Sequence, residues 1–108
     1  MARQVARGDL WLYRFAAPDK RRPVLVLSRD AALVRLRTAV VAPITSTARG
    51  LPSEVRVGVA DGLKADSVVN LDHLYTVPLD DLRLWLGRLD DLRMRAVCEA
   101  LAVAMGCR

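Results

Sequence analysis

Three cations at the start of one predicted buried strand form the first group of side chains suited to chemistry on a phosphate. Lys20, Arg21 and Arg22 come immediately before Pro23 and the apolar run 24–27. Arginine suits phosphate because its planar guanidinium donates two parallel hydrogen bonds. A solvated basic turn would explain Lys20 and Arg21 equally well. Arg22 differs because the proline and the rigid strand anchor it directly, which is what a catalytic group requires.

A hydroxyl cluster at the end of the next apolar strand forms the second group. Thr45, Ser46 and Thr47 follow the run 39–44, and Arg49 lies close to them in the chain. Hydroxyls at a strand end can orient a phosphate oxygen or a ribose hydroxyl. Taken alone, however, a Thr/Ser cluster is more often turn chemistry.

Two further features offer groups for binding. His73 is the sole histidine, and a lone histidine is more often a structural or binding residue than a general base. Trp11, Tyr13 and Phe15 carry rings on which bases can stack, although aromatic residues at a strand end more often belong to the core.

Composition and charge restrict the chemistry further. The 108 residues include 17 Lys+Arg, of which fifteen are Arg, against 12 Asp+Glu, with one His and two Cys. Residues 1–56 carry 11 Lys+Arg and 4 Asp+Glu, a net +7, whereas residues 57–108 carry 6 and 8, a net −2. A basic half predicts a phosphate-bearing partner. One His and two Cys cannot build a four-ligand Cys/His zinc site within the chain, so no metal is expected.

The elements that must position these groups are mostly short strands. No apolar run is long enough to span a bilayer and no signal peptide is visible, so we expect one cytoplasmic domain over 1–108, with a basic arm at 1–7. A helix is predicted over 90–105, with Asp90 as its N-cap and Gly106 at C′. Strands are predicted at 9–15, 24–27, 39–44, 54–57, 67–77 and 84–89, with a loop at 16–22. Such strands favour an antiparallel, barrel-like sheet followed by a packing helix.

Five short motifs, in order, resemble the MazF/PemK toxins of bacterial toxin–antitoxin pairs. They are Arg-Gly-Asp-Leu-Trp at 7–11, Arg-Pro-Val-Leu-Val-Leu at 22–27, Val-Ala-Pro-Ile-Thr-Ser at 41–46, Asp-Ser-Val-Val at 66–69 with Thr76 downstream, and Gly-Arg-Leu at 87–89 before the helix. The resemblance runs from about residue 7 to residue 106. It implies a mainly β fold similar to that of the gyrase poison CcdB: a small, strongly curved antiparallel barrel-like sheet with a C-terminal helix, assembled as a homodimer.

The resemblance also implies an activity. Most members are metal-independent, sequence-specific endoribonucleases that cut single-stranded RNA, and the motifs place their catalytic pair on Arg22 and Thr45. The ribose 2′-OH attacks the adjacent phosphate and leaves a 2′,3′-cyclic phosphate and a 5′-OH. This reaction needs no cofactor, only stabilisation of phosphorane charge and help with proton movement. Arg22 would supply fixed charge and Thr45 a hydrogen bond, while the general base is left open.

An RNA groove and two partners follow from the same resemblance. The residues expected to bind RNA are Lys20, Arg21, Ser46, Thr47, Arg49, Ser67, Asn70 and His73. The expected partners are single-stranded RNA, in mRNA or in tRNA or rRNA loops, and a small MazE-like antitoxin whose acidic tail fills the groove. The chain departs from the family pattern at 16–21, which is short and lacks a Glu, and at 73–76, where His-Leu-Tyr-Thr replaces Gln-x-Arg-Thr. We therefore expect a different cut sequence.

Two alternatives keep the fold but discard the enzyme. A CcdB-like gyrase poison would not need the Arg22/Thr45 pair, and a catalytically silent RNA-binding module would bind RNA in a salt-dependent way without cutting it. The two cysteines are expected to be free thiols, with Cys98 packed and Cys107 near the chain end.

Overall fold

The computed structural model describes residues 3–16 and 20–107. Within them the chain forms seven strands and two α-helices, together with single 3₁₀ turns at Val59–Asp61 and Leu79–Asp81. In chain order the elements are β1 Asp9–Arg14, β2 Arg21–Val26, α1 Asp30–Leu36, β3 Thr38–Thr45, β4 Glu54–Val57, β5 Ser67–Asn70, β6 Tyr75–Pro78, β7 Leu84–Arg88 and α2 Asp91–Ala104.

The strands form one curled antiparallel sheet in the order β4-β5-β3-β2-β1-β7. The long strand β3 bends between two partners, because its first half pairs with β6 (Val41↔Tyr75) and its end pairs with β5 (Thr45↔Val68). The prediction of a mainly β fold with a strongly curved antiparallel sheet and a C-terminal helix is confirmed.

The two faces of the curled sheet bury separate cores, since successive side chains on a strand point to opposite faces. One core holds Leu25 and Val69 and is covered by Val97 of α2. The other holds Val24 and Trp11. Burial ends at the N-terminus of β2, where Arg21 and Arg22 are exposed, and at the C-terminus of β3, where Thr45 is half-buried, so polar side chains meet solvent at these strand ends.

The C-terminal helix begins and ends as its sequence predicts. The carboxylate of Asp90 accepts a hydrogen bond from the Arg93 N–H at 2.8 Å, and Gly106 follows the helix with a φ of +73°. The expectation that Cys98 is packed is wrong. Its side chain is exposed because it lies on the solvent side of α2, where Arg7 Nη2 contacts its Sγ at 3.1 Å.

Three predictions of local structure are corrected. The sequence pattern did not predict α1, a two-turn helix that buries only Leu33. The predicted strand 67–77 is two strands, β5 and β6, because the turn at 71–74 forms hydrogen bonds with Ser53 instead of with a neighbouring strand. The predicted loop 16–22 is too long at its end, because Arg21 and Arg22 belong to β2. Residues 17–19 of this loop and residues 1–2 of the predicted basic arm lie outside the described residues.

Candidate functional site

The register of β2 and β3 brings Arg22 and Thr45 to the same edge of the sheet. The two strands pair Val24 with Pro43 and Leu25 with Ala42. Arg22 lies just beyond the end of this ladder on β2 and Thr45 just beyond it on β3, and the two side chains line the same two clefts. Arg22 is exposed and Thr45 half-buried, so the guanidinium and the hydroxyl both reach the surface.

A first cleft opens on the side of the sheet that carries the Trp11 core. It has a volume of about 520 Å³, within the range of small-molecule sites. We call it the basic cleft. It contains seven of the ten predicted site residues: Lys20, Arg22, Thr45, Thr47, Arg49, Asn70 and His73.

A second cleft of about 660 Å³ opens beside the first. It contains the three other predicted residues, Arg21, Ser46 and Ser67, and it shares Arg22, Thr45 and Thr47 with the basic cleft. We call it the hydroxyl cleft. The structure therefore distributes all ten predicted residues over two adjoining clefts, and the predicted catalytic pair lies where the clefts meet.

The charge of the two clefts is strongly positive. Five cations line them: Lys20, Arg21, Arg22, Arg49 and Lys64. Among the described residues that line either cleft, Glu54 is the single carboxylate. Cationic clefts with low-dielectric walls concentrate polyanions, so the site suits a phosphate backbone.

Glu54 holds the loop that follows Thr45. Its carboxylate accepts hydrogen bonds from the backbone N–H of Arg49, at 3.1 and 3.2 Å to the two oxygens, and from the N–H of Leu51 at 3.2 Å. At the start of the loop, the Thr47 N–H donates to Thr45 Oγ1 at 3.2 Å. That bond uses one lone pair of the Thr45 hydroxyl and leaves its proton free for a phosphate oxygen. Sequence reasoning missed Glu54, although a carboxylate after a Gly/Pro turn is a signal for such loop bonding.

The turn that carries His73 is anchored on the side that precedes it. The Leu71 N–H donates to the Ser53 carbonyl at 3.1 Å, and the Asp72 carboxylate accepts a hydrogen bond from the Ser53 hydroxyl. The Asp72 N–H donates to Asn70 Oδ1 at 2.9 Å. Since the amide oxygen of Asn70 is occupied, its NH₂ group is the part left to face a ligand.

Aromatic rings form one wall of the basic cleft. Phe15 packs edge-on against Tyr13 at 4.8 Å and against Tyr75 at 4.9 Å, measured between ring centroids. Phe15 and Tyr75 line the cleft, and Tyr75 is 44% exposed. Trp11 is core, with its Nε1 bonded to Asp9 Oδ2 at 3.3 Å. Sequence reasoning did not select Tyr75, because its approach to Phe15 depends on the β3–β6 pairing.

Neither a metal cluster nor a membrane span is found in the described parts of the chain. There, no three side chains of His, Cys, Asp or Glu come together as metal ligands. No helix there has the length and apolar character needed to cross a membrane.

The curled sheet, its C-terminal helix and the paired clefts define a class, the small toxins with the MazF/PemK fold. The family model for the PemK-like, MazF-like toxins of type II toxin–antitoxin systems matches residues 6–105. The chain belongs to this family, and the resemblance seen in its motifs is confirmed.

Known proteins similar to the chain include both sequences and solved structures. It is 52% identical over 103 residues to the probable endoribonuclease MazF5 of Mycobacterium tuberculosis, covering 94% of each chain. The solved M. tuberculosis toxin MazF-mt6 is 37% identical with a TM-score of 0.83, covering 91% of this chain and 96% of that one. A mycobacterial endoribonuclease solved in complex with its cognate antitoxin is 28% identical with a TM-score of 0.87, covering 97% and 98%.

Proposed function

We propose that this chain is the toxin of a type II toxin–antitoxin pair and a metal-independent endoribonuclease that cuts single-stranded RNA. The observation that carries the proposal is that Arg22 and Thr45 both line two adjoining cationic clefts, at the point where the clefts meet. The family and the endoribonuclease names of its relatives support the reaction class.

The site suits cleavage by the neighbouring ribose hydroxyl. As the 2′-OH attacks the phosphorus, negative charge grows on the phosphate oxygens, and fixed donors aimed at that charge lower the barrier. Arg22 donates hydrogen bonds from a guanidinium that stays protonated at ordinary pH. The Thr45 hydroxyl donates a hydrogen bond to a second phosphate oxygen. The products are a 2′,3′-cyclic phosphate and a 5′-OH.

The rest of the clefts would hold the RNA strand on either side of the cut. Phe15 and Tyr75 offer rings for stacking unpaired bases, and Lys20, Arg21 and Arg49 offer charge to phosphates. The predicted polar contacts are completed by Ser46, Thr47, Ser67, Asn70 and His73. Because Tyr75 and His73 occupy positions at which many relatives carry Arg and Gln, we expect this toxin to select a different RNA sequence.

Partners and location follow from the same function. A MazE-like antitoxin would neutralise the toxin by placing an acidic segment in the basic cleft, where its carboxylates replace the RNA phosphates; the antitoxin complex of a similar endoribonuclease supports this. The toxin would act as a homodimer in the cytoplasm, where its RNA substrates are.

The test is RNA cleavage in EDTA by purified protein and matched variants. We expect Arg22→Ala and Thr45→Ala to lose about 10²-fold or more in rate, as removal of one oxyanion donor does, while Arg22→Lys and Thr45→Ser retain part of the activity. Arg95→Ala removes an exposed arginine of α2 outside both clefts and is the control for lost charge.

Three results would contradict the proposal. Full activity in both alanine variants would refute the catalytic pair. Salt-dependent RNA binding without any cut product would indicate a silent RNA-binding module. Absence of both binding and cleavage, with inhibition of gyrase, would indicate a CcdB-like poison.

A further inference from the structure

We propose that His73 is the general base that accepts the proton of the attacking 2′-OH. This inference rests on the proposed ribonuclease function, and it assigns the one role that the Arg22/Thr45 pair leaves open. A guanidinium that stays protonated cannot accept a proton, so the base must be another group in the clefts.

The described residues around the basic cleft offer few groups able to accept a proton. Those that carry charge or titrate are Lys20, Arg22, Arg49, Glu54, His73 and Tyr75, with Arg21 and Lys64 in the hydroxyl cleft and Asp72 beside His73 in its turn. A base needs a lone pair that is free to accept a proton. Arginine and the lysine ammonium are donors without an acceptor, and the tyrosine hydroxyl still carries its own proton, which leaves the carboxylates and the imidazole.

The carboxylates of Glu54 and Asp72 both accept hydrogen bonds that hold the structure around them. Glu54 accepts from the backbone N–H groups of Arg49 and Leu51 through both of its oxygens. Asp72 accepts from the Ser53 hydroxyl, and it does not line either cleft. A proton taken up by either carboxylate would compete with the hydrogen bonds that order its loop or turn. Neither carboxylate is therefore available without loosening a loop.

The imidazole of His73 has the opposite properties. It is exposed and lines the basic cleft with Arg22 and Thr45. It makes no hydrogen bond or ion pair with any residue that the structure describes, so a ring nitrogen is free to accept. Its backbone is nevertheless held, because Leu71 is buried and bonded to Ser53 on one side and Tyr75 pairs with Val41 on the other. A fixed backbone with an unengaged side chain is what a base needs before substrate binds.

The proposed step is balanced without any cofactor. The 2′-oxygen forms its bond to phosphorus while its proton moves to the unprotonated nitrogen of His73. The P–O5′ bond breaks, its electron pair stays on O5′, and O5′ takes a proton from water. Arg22 and Thr45 hold the phosphate oxygens throughout, and the imidazolium then returns its proton to solvent.

The pH dependence of cleavage tests this role, because a base and a phosphate-binding cation have opposite signs. Protonation removes the imidazole lone pair that a base uses and creates the charge that a phosphate-binding cation uses. If His73 is a base, kcat/KM of the wild-type protein falls as the pH is lowered. If the imidazolium only binds phosphate, kcat/KM falls as the pH is raised. The measurement uses a short fluorogenic single-stranded RNA in EDTA at constant ionic strength.

Two variants separate catalysis from structure. We expect His73→Gln, which keeps a polar side chain of similar length, to lose about 10²–10⁴-fold in kcat/KM and to keep KM within a few-fold. This variant should also lose the fall in kcat/KM at low pH, which we call the acidic limb of the pH profile. In His73→Gly, added imidazole should restore part of the rate, with the dependence on pH that unprotonated imidazole has. The control is Arg95→Gln on α2, outside both clefts, which should keep both the cleavage rate and the acidic limb of the pH profile.

The outcomes distinguish this inference from the proposed function. Absence of cleavage by the wild-type protein would overturn the function itself. The role of His73 alone would be overturned if the wild-type protein cuts RNA in a way that depends on Arg22 and Thr45, but His73→Gln retains the acidic limb. The same conclusion would follow if imidazole does not rescue His73→Gly.

Discussion

Replacement of Glu54 tests how far the activity depends on the loop behind Thr45. Glu54 lies on β4 opposite Asn70 of β5, and its carboxylate holds the N–H groups of Arg49 and Leu51. Hydrogen bonds to a charged group contribute about 1.5–3 kcal/mol each. Because Glu54 is partly exposed, solvent screening reduces this contribution below that range, and we assign about 1 kcal/mol to each donor, or about 2 kcal/mol to the pair.

That loss should appear as lower activity. In Glu54→Ala the loop that carries Thr47 and Arg49 must be ordered by the RNA itself, so about 2 kcal/mol of binding energy is spent on ordering, and kcat/KM falls about 30-fold. Glu54→Gln keeps one acceptor oxygen and should lose only a few-fold. Hydrogen exchange of the Arg49 and Leu51 amides should accelerate in the same order.

Electrostatics alone predicts the reverse, which makes the result decisive. Glu54 is the single carboxylate among the described residues of the two clefts, so its removal should strengthen RNA binding if charge dominates. Glu99→Gln on α2 controls for the change in net charge. Faster cleavage by both Glu54 variants, or unchanged exchange of the two amides, would refute the loop-anchor reasoning.

Three further predictions concern stability and RNA binding. Asp9→Ala should lower the free energy of unfolding by about 2–4 kcal/mol in urea denaturation, because it leaves the buried Trp11 Nε1–H without its acceptor; an unchanged midpoint would contradict this. Asp90→Ala should cost about 1 kcal/mol by loss of the α2 N-cap, measured in the same way, and Asp90→Ser should restore most of it. Lys20→Ala should reduce the slope of log K against log salt for single-stranded RNA by about 0.7, measured by fluorescence anisotropy, and an unchanged slope would place Lys20 outside the RNA path.

The parts of the fold that the sequence predicts are those with local causes. Asp90 and Gly106 mark the ends of α2 because capping depends on residues within one turn. The run 24–27 that follows Arg22 and the run 39–44 that precedes Thr45 are apolar stretches that need no partner to be recognised. For the same reason, the motifs at 22–27 and 41–46 point to the proposed catalytic pair before the pairing of β2 with β3 is known.

The parts that the sequence did not predict depend on distant contacts. The run 67–77 alternates like one strand, but its break at 71–74 is set by two hydrogen bonds with Ser53, almost twenty residues away. The Leu71 N–H donates to the Ser53 carbonyl, and the Asp72 carboxylate accepts from the Ser53 hydroxyl. Tyr75 reaches the cleft only through its pairing with β3. Glu54 reads as the exposed residue of an alternating strand until its carboxylate is seen to hold the preceding loop.

The central claim is that Arg22 and Thr45 cut RNA by 2′-OH attack without a metal. Mass spectrometry of the fragment ends, after incubation of single-stranded RNA with the purified protein in EDTA, tests it most directly. We predict 2′,3′-cyclic phosphate and 5′-OH ends from the wild-type protein, and intact RNA from Arg22→Ala and Thr45→Ala proteins that remain folded. Fragments with 3′-OH and 5′-phosphate ends, or equal cleavage by both variants, would contradict the claim.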